Sequence, residues 1–361
     1  MRLRASLLFI APAAAVLLVA CQDRHPVDPS RDASSLRASR QSAGFATLTK
    51  LATLGSNSEA YGVNAAGNVV VGQSFESSGM LRAVKWTFAN GAWSLATLPY
   101  SSSASAHGVN DQGDVVGYGA TGPRQAVFWP AAGGSIALGC ATDAGATTAL
   151  AVSAAGQVVV GQGAGSAALW IPDGSCRVTL PALAEGGWSA ARAVSDDGTV
   201  VGGTASFTPS GDGLPVRWTL VAGVWQIEQL DGRLGKVDGA NAAGDLAGAV
   251  SVTCATGTCA HAYVWNAGAG GAIDLGTLGQ QSSHARDINA SREVVGIAIS
   301  SQGVGTPFYW SAARGALALP LASGRGGGSA NAVSNVRADG TRLAAGTQAG
   351  VQPVVWVVRN P

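Results

Sequence analysis

From about residue 45 to the end of the chain, short apolar runs alternate with turns of Gly, Asn, Asp and Ser. One order of residues repeats: an apolar run ending in Asn or Ser, a turn closed by Gly, a Val-rich run closed by Gly, and an apolar run ending in Trp. The clearest copy is residues 106–117 (AHGVNDQGDVVG) followed by 126–129 (AVFW). Short β-branched runs between turn residues are typical of β-strands. The pattern therefore predicts several short strands in each copy.

Seven copies follow one another at a nearly constant spacing. The Trp that ends the third run stands at positions 86, 129, 170, 218, 265, 310 and 356, so the period is 41 to 48 residues. Four strands fit in each copy, for example residues 106–110, 114–119, 125–129 and 135–139. Four strands per repeat of this length are typical of one propeller blade. We predict an all-β, seven-bladed β-propeller of four-stranded blades.

The two ends of the repeat region predict that the ring is closed. The last copy ends at Trp356 and Val358 without a fourth strand, whereas residues 45–54 (FATLTKLATL) form a fourth strand with nothing before it. The N-terminal strand is expected to complete the seventh blade, which hides edges that an open array exposes. An open β-solenoid is the alternative.

Two recurring features are explained by structure rather than by a ligand. The turn between the first two strands begins with Asn or Ser and closes with Gly, which supplies the positive φ of a type I turn with a bulge. Arg292 replaces that Gly in copy six and residues 334–340 lengthen the turn in copy seven, so we expect these two turns to be looser. The repeated Trp is expected to pack between neighbouring blades.

Composition limits the choice of partners. Charged residues make up 12% of the chain, with 22 basic and 21 acidic side chains, a net charge of +1 and no Lys/Arg-rich run. A nucleic-acid partner is not expected, because the counterion-release attraction has no source. The spacing of Asp in the turns does not match a calcium loop. We predict no metal, no cofactor and a monomer.

The N-terminal segment is typical of an export signal. Arg2 and Arg4 precede an apolar stretch, residues 7–20, that is short for a membrane span. Residues 18–21 (LVAC) resemble the lipobox of bacterial lipoproteins. The resemblance implies a signal peptide over residues 1–20, lipidation of Cys21 and anchoring at the outer membrane or cell surface. Residues 22–44 are polar, rich in Ser and Arg and without apolar periodicity, which predicts a disordered tether. The expected division is therefore a lipidated Cys and tether over 21–44 and the propeller over 45–361. An ordinary secretory signal is the alternative.

Four cysteines remain in the exported body, where disulfides are expected. Cys254 and Cys259 flank a tight hairpin, and a bridge across it is geometrically easy. Cys140 and Cys176 are paired only because they are left over. They lie at different distances from their Trp residues, which in equivalent strands would place them at opposite ends of the blades.

Part of the repeat has a family resemblance. Residues 274–279 (DLGTLG), 283–289 (SHARDIN) and 293–296 (EVVG), together with 261–265 (HAYVW), resemble the HAF-family bacterial extracellular repeat. The resemblance covers about residues 45–358, with the full string only around copies five and six. It implies an exported, propeller-like repeat protein, and it provides no catalytic residues to transfer.

One position of the first strand changes in chemical type along the repeats. It is the third residue before the Asn or Ser that begins the turn. Its occupants are Tyr61, His107, Leu150, Arg192, Asp238, Arg286 and Asn331. We predict that they form a ring at one mouth of the central channel that binds a ligand; drift at a solvated position is the alternative. Glu59, Trp188, Lys236 and His284 are secondary candidates.

Three functions are compatible with this arrangement. The chain is a binding or scaffold module for a glycan, peptide or protein; or it is a purely structural envelope protein; or, less favoured, it is a hydrolase or lyase. In the last case the acid/base groups come from Glu59, His107, Asp238, His284 and Asp287. We predict the first, with no catalytic residue.

Overall fold

The computed structural model describes residues 44–359 except 121, 141–144, 256, 269–270, 323–325 and 350. The signal segment, Cys21 and nearly all of the tether lie outside these residues. The described chain folds into 28 strands, which form seven antiparallel four-stranded sheets. The sheets follow one another around a ring, so the protein is a seven-bladed β-propeller, as the repeat predicts. No helix in the described ranges has the length and apolar character needed to cross a bilayer.

Each blade uses four strands that are consecutive along the chain, apart from blade seven. Blade one contains β2 (Gly55–Val63), β3 (Val69–Glu76), β4 (Leu81–Ala89) and β5 (Ala92–Thr97). Blade two contains β6 (Ser103–Val109), β7 (Val115–Ala120), β8 (Arg124–Trp129) and β9 (Ile136–Ala137). Blade three contains β10 (Thr147–Val152), β11 (Val159–Gly163), β12 (Ser166–Trp170) and β13 (Val178–Thr179). Blade four contains β14 (Ser189–Val194), β15 (Val200–Ala205), β16 (Leu214–Val221) and β17 (Val224–Gln229).

The remaining blades follow the same order. Blade five contains β18 (Gly235–Ala240), β19 (Leu246–Cys254), β20 (Gly257–Trp265) and β21 (Ala272–Asp274). Blade six contains β22 (Ser282–Ile288), β23 (Val294–Ile299), β24 (Gly305–Ser311) and β25 (Gly315–Ala318). Blade seven contains β26 (Gly328–Val333), β27 (Arg342–Gln348), β28 (Gln352–Val358) and the N-terminal strand β1 (Ala46–Lys50).

The N-terminal strand closes the ring. Strand β1 pairs antiparallel with β28, with Leu48 opposite Trp356, so the last blade is completed by the first strand. The innermost strands of blades seven and one also meet, because Asn331 Nδ2 donates to the carbonyl of Ala60 at 2.8 Å. The predicted closure is confirmed, and the open solenoid is excluded.

The repeated Trp packs between neighbouring blades. Trp129 of blade two, for example, lies in one buried cluster with Val71 and Ala83 of blade one. Several of these indoles also donate a hydrogen bond to a carbonyl that follows the outermost strand of the preceding blade. The pairs are Trp86 to Ala52, Trp129 to Pro99, Trp218 to Pro181 and Trp356 to Pro320, at 2.7–2.9 Å. The Trp therefore fixes the angle of each blade as well as filling its interface.

The turns between the first and second strands have the predicted geometry. Their closing glycines have positive φ, as at Gly67 (67°) and Gly156 (70°). Copy six was expected to be looser, but Arg292 adopts the same left-handed backbone (φ 58°). Its guanidinium holds Asp245 of blade five through Nε–Oδ2 and Nη2–Oδ1 contacts of 2.6 and 3.0 Å. The expectation of a looser turn was wrong here, because the ion pair of Arg292 with Asp245 holds the turn although the glycine is missing.

The longer turn of copy seven is also held in place, by a backbone hydrogen bond to blade one. Its first residue after Ser334, Asn335, donates from its backbone N to the carbonyl of Ala65 in blade one at 2.9 Å. Gly340 closes the turn with a φ of 76°. The turn is therefore part of the junction where the ring closes.

Both cysteine pairs are bonded. Cys254 and Cys259 bridge the hairpin between β19 and β20, with Cα atoms 5.9 Å apart. Cys140 and Cys176 link blades two and three, with Cα atoms 4.6 Å apart. The expectation that the latter lie at opposite ends was wrong, because β9 and β13 are only two residues long. The segments beside such short strands are not fixed by strand register.

Candidate functional site

Every blade has a β-bulge in its innermost strand. Near the end of the first strand in each sheet, the pairing with the second strand skips one residue. The skipped residues are Tyr61, His107, Leu150, Arg192, Asp238, Arg286 and Asn331. These are the seven positions at which the repeats differ. A bulge leaves one residue out of the ladder of strand hydrogen bonds and changes the direction of its side chain. The bulge therefore explains why this one position differs from its neighbours.

Packing explains why the residues on either side of the bulge are small. The residue before it is fully buried in the blade, as are Ala60 and Ala106. The residue after it contacts the innermost strand of the next blade. A Cβ on Gly62 would lie 2.6 Å from the carbonyl oxygen of His107, and one on Gly239 would lie 2.7 Å from the Cα of Asp287. The bulge residue alone is free of both constraints.

The seven bulge residues line the central channel. A cavity of about 1010 Å³ is bounded by all seven innermost strands, and each bulge residue contributes to its wall. The turns after these strands form a second level of the wall, which includes Asp111 and Asp196. The predicted ring therefore exists. It lies inside the channel, near the ends of the strands, rather than at the mouth where the strands begin.

Blades four to six place a group of charged side chains in this channel, which we call the cationic cluster: Arg192, Lys236, Asp238 and Arg286. Lys236 Nζ lies 2.8 Å from Asp238 Oδ2. Arg192 Nη1 lies 3.6 Å from Asp238 Oδ1, and Arg286 Nη1 lies 3.8 Å from Asp238 Oδ2. Three cations thus surround one carboxylate. The pKa of His284, on the same side, is lowered first by burial and then by Arg286 and Lys236.

Blades one and two supply the aromatic side of the channel. The rings of Tyr61 and His107 stack at 5.0 Å, and His107 stacks on Tyr118 at 5.7 Å. Arg124 covers the next face of Tyr118, 4.5 Å from the ring centroid. The pKa of His107 is lowered to about 4, first by burial and then by Arg124. A neutral imidazole therefore lies between the two phenol rings at neutral pH.

The hydroxyl of Tyr61, on the aromatic side, already has a hydrogen-bond partner within the protein. Tyr61 donates its hydroxyl hydrogen to Glu59 Oε2 at 2.5 Å. Sequence reasoning identified Tyr61, His107 and Glu59 but missed Tyr118. Tyr118 belongs to the second strand, where it lies opposite Ser105. Ser105 lies two residues before the bulge residue His107. The signal that could have identified Tyr118 is its pairing with that position.

The other ring positions have different surroundings. Asn331 donates to Ala60 and accepts from Ser329 Oγ at 3.0 Å, so its amide joins blades seven and one. Leu150 is the apolar member of the ring. Trp188 lies outside the channel and lines a separate cavity of about 600 Å³ with Glu185 and Pro209. It joins none of the other candidates, and its indole donates to the carbonyl of Gly211 at 2.7 Å.

Asp287 occupies the position after the bulge, where the other blades have Gly or Ala. Its two carboxylate oxygens accept hydrogen bonds from the backbone N of Ile288 and of Val333, both at 2.8 Å. Burial raises its pKa to about 7, against the opposing effect of these bonds.

Of the other proposed acid/base residues, Glu59 is hydrogen-bonded to Tyr61 and Asp238 is paired with Lys236. No three His, Cys, Asp or Glu side chains come together as a metal-ligand group within the ranges that the structure covers.

Comparisons with solved structures support the fold. The β-propeller domain of Myceliophteria thermophila Cps50 (Swd1) matches with a TM-score of 0.50 and 10% identity, over 87% of this chain and 99% of that chain. YCF48 bound to D1 peptide matches with 0.51 and 11%, over 88% and 96%. A puromycin hydrolase mutant complexed with PGG matches with 0.54 and 15%, over 80% of this chain and 50% of that chain. No protein-family model and no curated protein matches the chain.

Proposed function

We propose that this chain is an exported, lipid-anchored protein of the bacterial cell envelope, and that its propeller is a binding module whose ligand enters the central channel. One observation carries the binding role. The bulge of each blade turns into the channel the residue that changes in type around the ring, with six residue types in seven blades. The Trp that packs between the blades is the same in every copy, whereas the residues that face the channel differ.

The fold is consistent with this role. One of the similar structures, YCF48, is bound to a peptide, which supports a propeller of this kind as a binding module. The channel volume of about 1010 Å³ is at the upper end of the range of pockets that hold small ligands, about 300–1,000 Å³. A small molecule or the end of a longer chain is therefore the expected occupant.

A bulky substitution in the channel tests the binding role. In Leu150→Trp a larger side chain projects into the channel without any change in charge. Val178→Trp is the matched control, because Val178 is exposed on the outermost strand of the same blade. Immobilised full-length wild-type protein and Val178→Trp should retain the same component of an envelope extract, and Leu150→Trp should lose it.

Two other outcomes of this experiment would contradict the proposal. If Leu150→Trp retains the component as the wild type does, the ligand binds elsewhere on the propeller. If the wild type retains no component at all, the protein is a structural element of the envelope instead. Melting temperatures of the three proteins show whether the substitutions leave the ring intact.

The lipid anchor rests on the sequence resemblance at residues 18–21. The two disulfides support export, because such bonds persist in oxidising compartments. Cells expressing Cys21→Ser should release the propeller from the membrane fraction and lose incorporation of labelled fatty acid, because attachment of two or more acyl chains depends on that thiol. Wild-type protein that carries no fatty acid would disprove the anchor while leaving the channel proposal intact.

A further inference from the structure

The cationic cluster has more positive charge than its own carboxylate neutralises. Three cationic side chains surround Asp238, and only Lys236 is within hydrogen-bonding distance of it, at 2.8 Å. The two arginines lie farther away, at 3.6 and 3.8 Å. The pKa of Lys236 is lowered, chiefly by burial, and Arg286 and Arg192 add to this against the effect of Asp238. An excess of positive charge therefore remains on this side of the channel.

The two arginines also have hydrogen-bond donors without acceptors. The Nε atoms of Arg192 and Arg286 are buried and have no partner in the described part of the chain. A buried donor without an acceptor costs stability. Both side chains are 37% exposed, so their remaining N–H groups are accessible from the channel. Asp238 approaches both guanidinium groups, but at 3.6 and 3.8 Å it is beyond hydrogen-bonding distance of either.

We propose that the cationic cluster binds a carboxylate group of the ligand, held between Arg192 and Arg286. This inference rests on the proposed binding function and names the chemistry that the channel recognises. A carboxylate has two coplanar oxygens, which match the fork of a guanidinium, and such charge-assisted pairs are among the strongest hydrogen bonds.

Asp238 positions the two arginines. Its side chain is only 9% exposed and lies within 4 Å of both guanidinium groups, so it orients them by charge. The opposite side of the channel does not compete for the anion, because Tyr61, His107 and Tyr118 are stacked on one another. Among the described residues of the channel, the candidate anion site therefore lies on blades four to six.

The carboxylate can come from a sugar acid or from the C-terminus of a peptide, and probes of each kind distinguish the two. Calorimetric titration of the full-length protein uses galacturonic acid and its neutral counterpart galactose, then N-acetyl-trialanine and its neutral counterpart N-acetyl-trialanine amide, and finally inorganic phosphate. We expect an acidic probe to bind and its neutral counterpart not to bind. Binding of galacturonic acid alone identifies a sugar acid, and binding of N-acetyl-trialanine alone identifies a peptide C-terminus.

The double variant Arg192→Gln/Arg286→Gln should weaken binding of the acidic probe by on the order of ten-fold or more, because both charge-assisted pairs are lost. Arg82→Gln is the control, since Arg82 is in a surface ion pair with Glu76, and its affinity should equal that of the wild type. Added salt should weaken binding to the wild type and have less effect on the double variant. The salt series needs no variant, so it tests the site even if the double variant does not fold.

Three results would overturn the inference. They are preferential binding of phosphate, equal binding of the acidic and neutral probes, and unchanged affinity in a folded double variant. If a neutral probe binds and Leu150→Trp abolishes that binding, the channel is still the binding site and only its preference for a carboxylate is wrong. The carboxylate inference and the proposed function can therefore fail separately.

Discussion

Arg342 of blade seven and Glu293 of blade six form a buried ion pair with two contacts. Nε lies 2.7 Å from Oε2 and Nη2 lies 2.6 Å from Oε1, and the side chains are 6% and 7% exposed. Asn289 also donates to Oε2, at 2.7 Å. Arg292 and Asp245 make an equivalent contact one interface earlier. The interfaces between blades five, six and seven are thus tied together by charge as well as by apolar packing.

We predict that Arg342→Met destabilises the protein by about 3–5 kcal/mol, because it leaves the carboxylate of Glu293 buried without its partner. Urea denaturation measures the loss in free energy of unfolding. Arg82→Met is the control, because its ion pair with Glu76 is partly exposed and such pairs contribute about 1 kcal/mol or less. Equal, small losses in both variants would show that the buried pair contributes no more than a surface pair.

The same pair gives a prediction about pH. Burial alone would raise the pKa of Glu293, but hydrogen bonds from Arg342, Asn289 and Tyr309 outweigh it, and the pKa is lowered overall. A carboxyl whose folded pKa lies below its unfolded value of about 4.3 stabilises the fold above that pH, and this stability is lost as the pH falls through the folded pKa. In Arg342→Met burial dominates, so the contribution of Glu293 should instead fall as the pH rises. Denaturation at a series of pH values tests the change of sign.

The indole hydrogen bonds can be separated from indole packing. Trp218 and Trp170 are both fully buried, but only Trp218 donates to a carbonyl, that of Pro181 at 2.7 Å. The Nε1 of Trp170 has no partner among the described residues. Trp218→Phe should therefore cost about 1 kcal/mol more than Trp170→Phe, because it also leaves the carbonyl of Pro181 without a donor. Thermal melts compare the two, and equal losses would show that packing alone determines the effect.

The sequence predicts most of the fold because the repeat specifies local geometry. The Trp positions, the Gly turns and the unpaired strand at residues 45–54 each correspond to a feature of the closed ring. The ring of varying residues is also visible in the sequence, although the bulge behind it is not, because it depends on how two strands pair. Arg292 shows the remaining limit: its partner Asp245 lies 47 residues earlier, and no local signal connects them.

The close contact after the bulge of blade five predicts that side-chain size is restricted at Gly239. A Cβ on Gly239 would lie 2.7 Å from the Cα of Asp287 in the next blade, and backbone cannot move aside as a flexible side chain can. Gly239→Ala should destabilise the protein by about 1–3 kcal/mol. Gly122→Ala is the control, because a Cβ there meets no atom within 4 Å and its effect should stay within about 0.5 kcal/mol. Chemical denaturation measures both, and a neutral Gly239→Ala would mean that the blades separate without cost.

Asp287 should make stability fall with rising pH. Its folded pKa of about 7 lies above the unfolded value of about 3.9. The folded state therefore binds the proton more tightly, and the stability that this residue contributes below the unfolded pKa is lost as the pH rises through the folded value. Asp287→Ala introduces the residue that blades three, four and seven have at this position, Ala151, Ala193 and Ala332.

We expect Asp287→Ala to flatten the decline in melting temperature between about pH 5 and pH 7, a difference of a few degrees. Asp339→Ala is the control: the side-chain hydrogen bond from Thr341 is the main cause that lowers the pKa of Asp339, so that carboxyl stays ionised throughout this range and the slope should not change. A decline that persists unchanged in Asp287→Ala would assign the pH dependence to another group of the channel, since Asp196 also has a pKa raised by burial, by Asp111 and by Asp197. Asp196→Ala would then be the variant that flattens it.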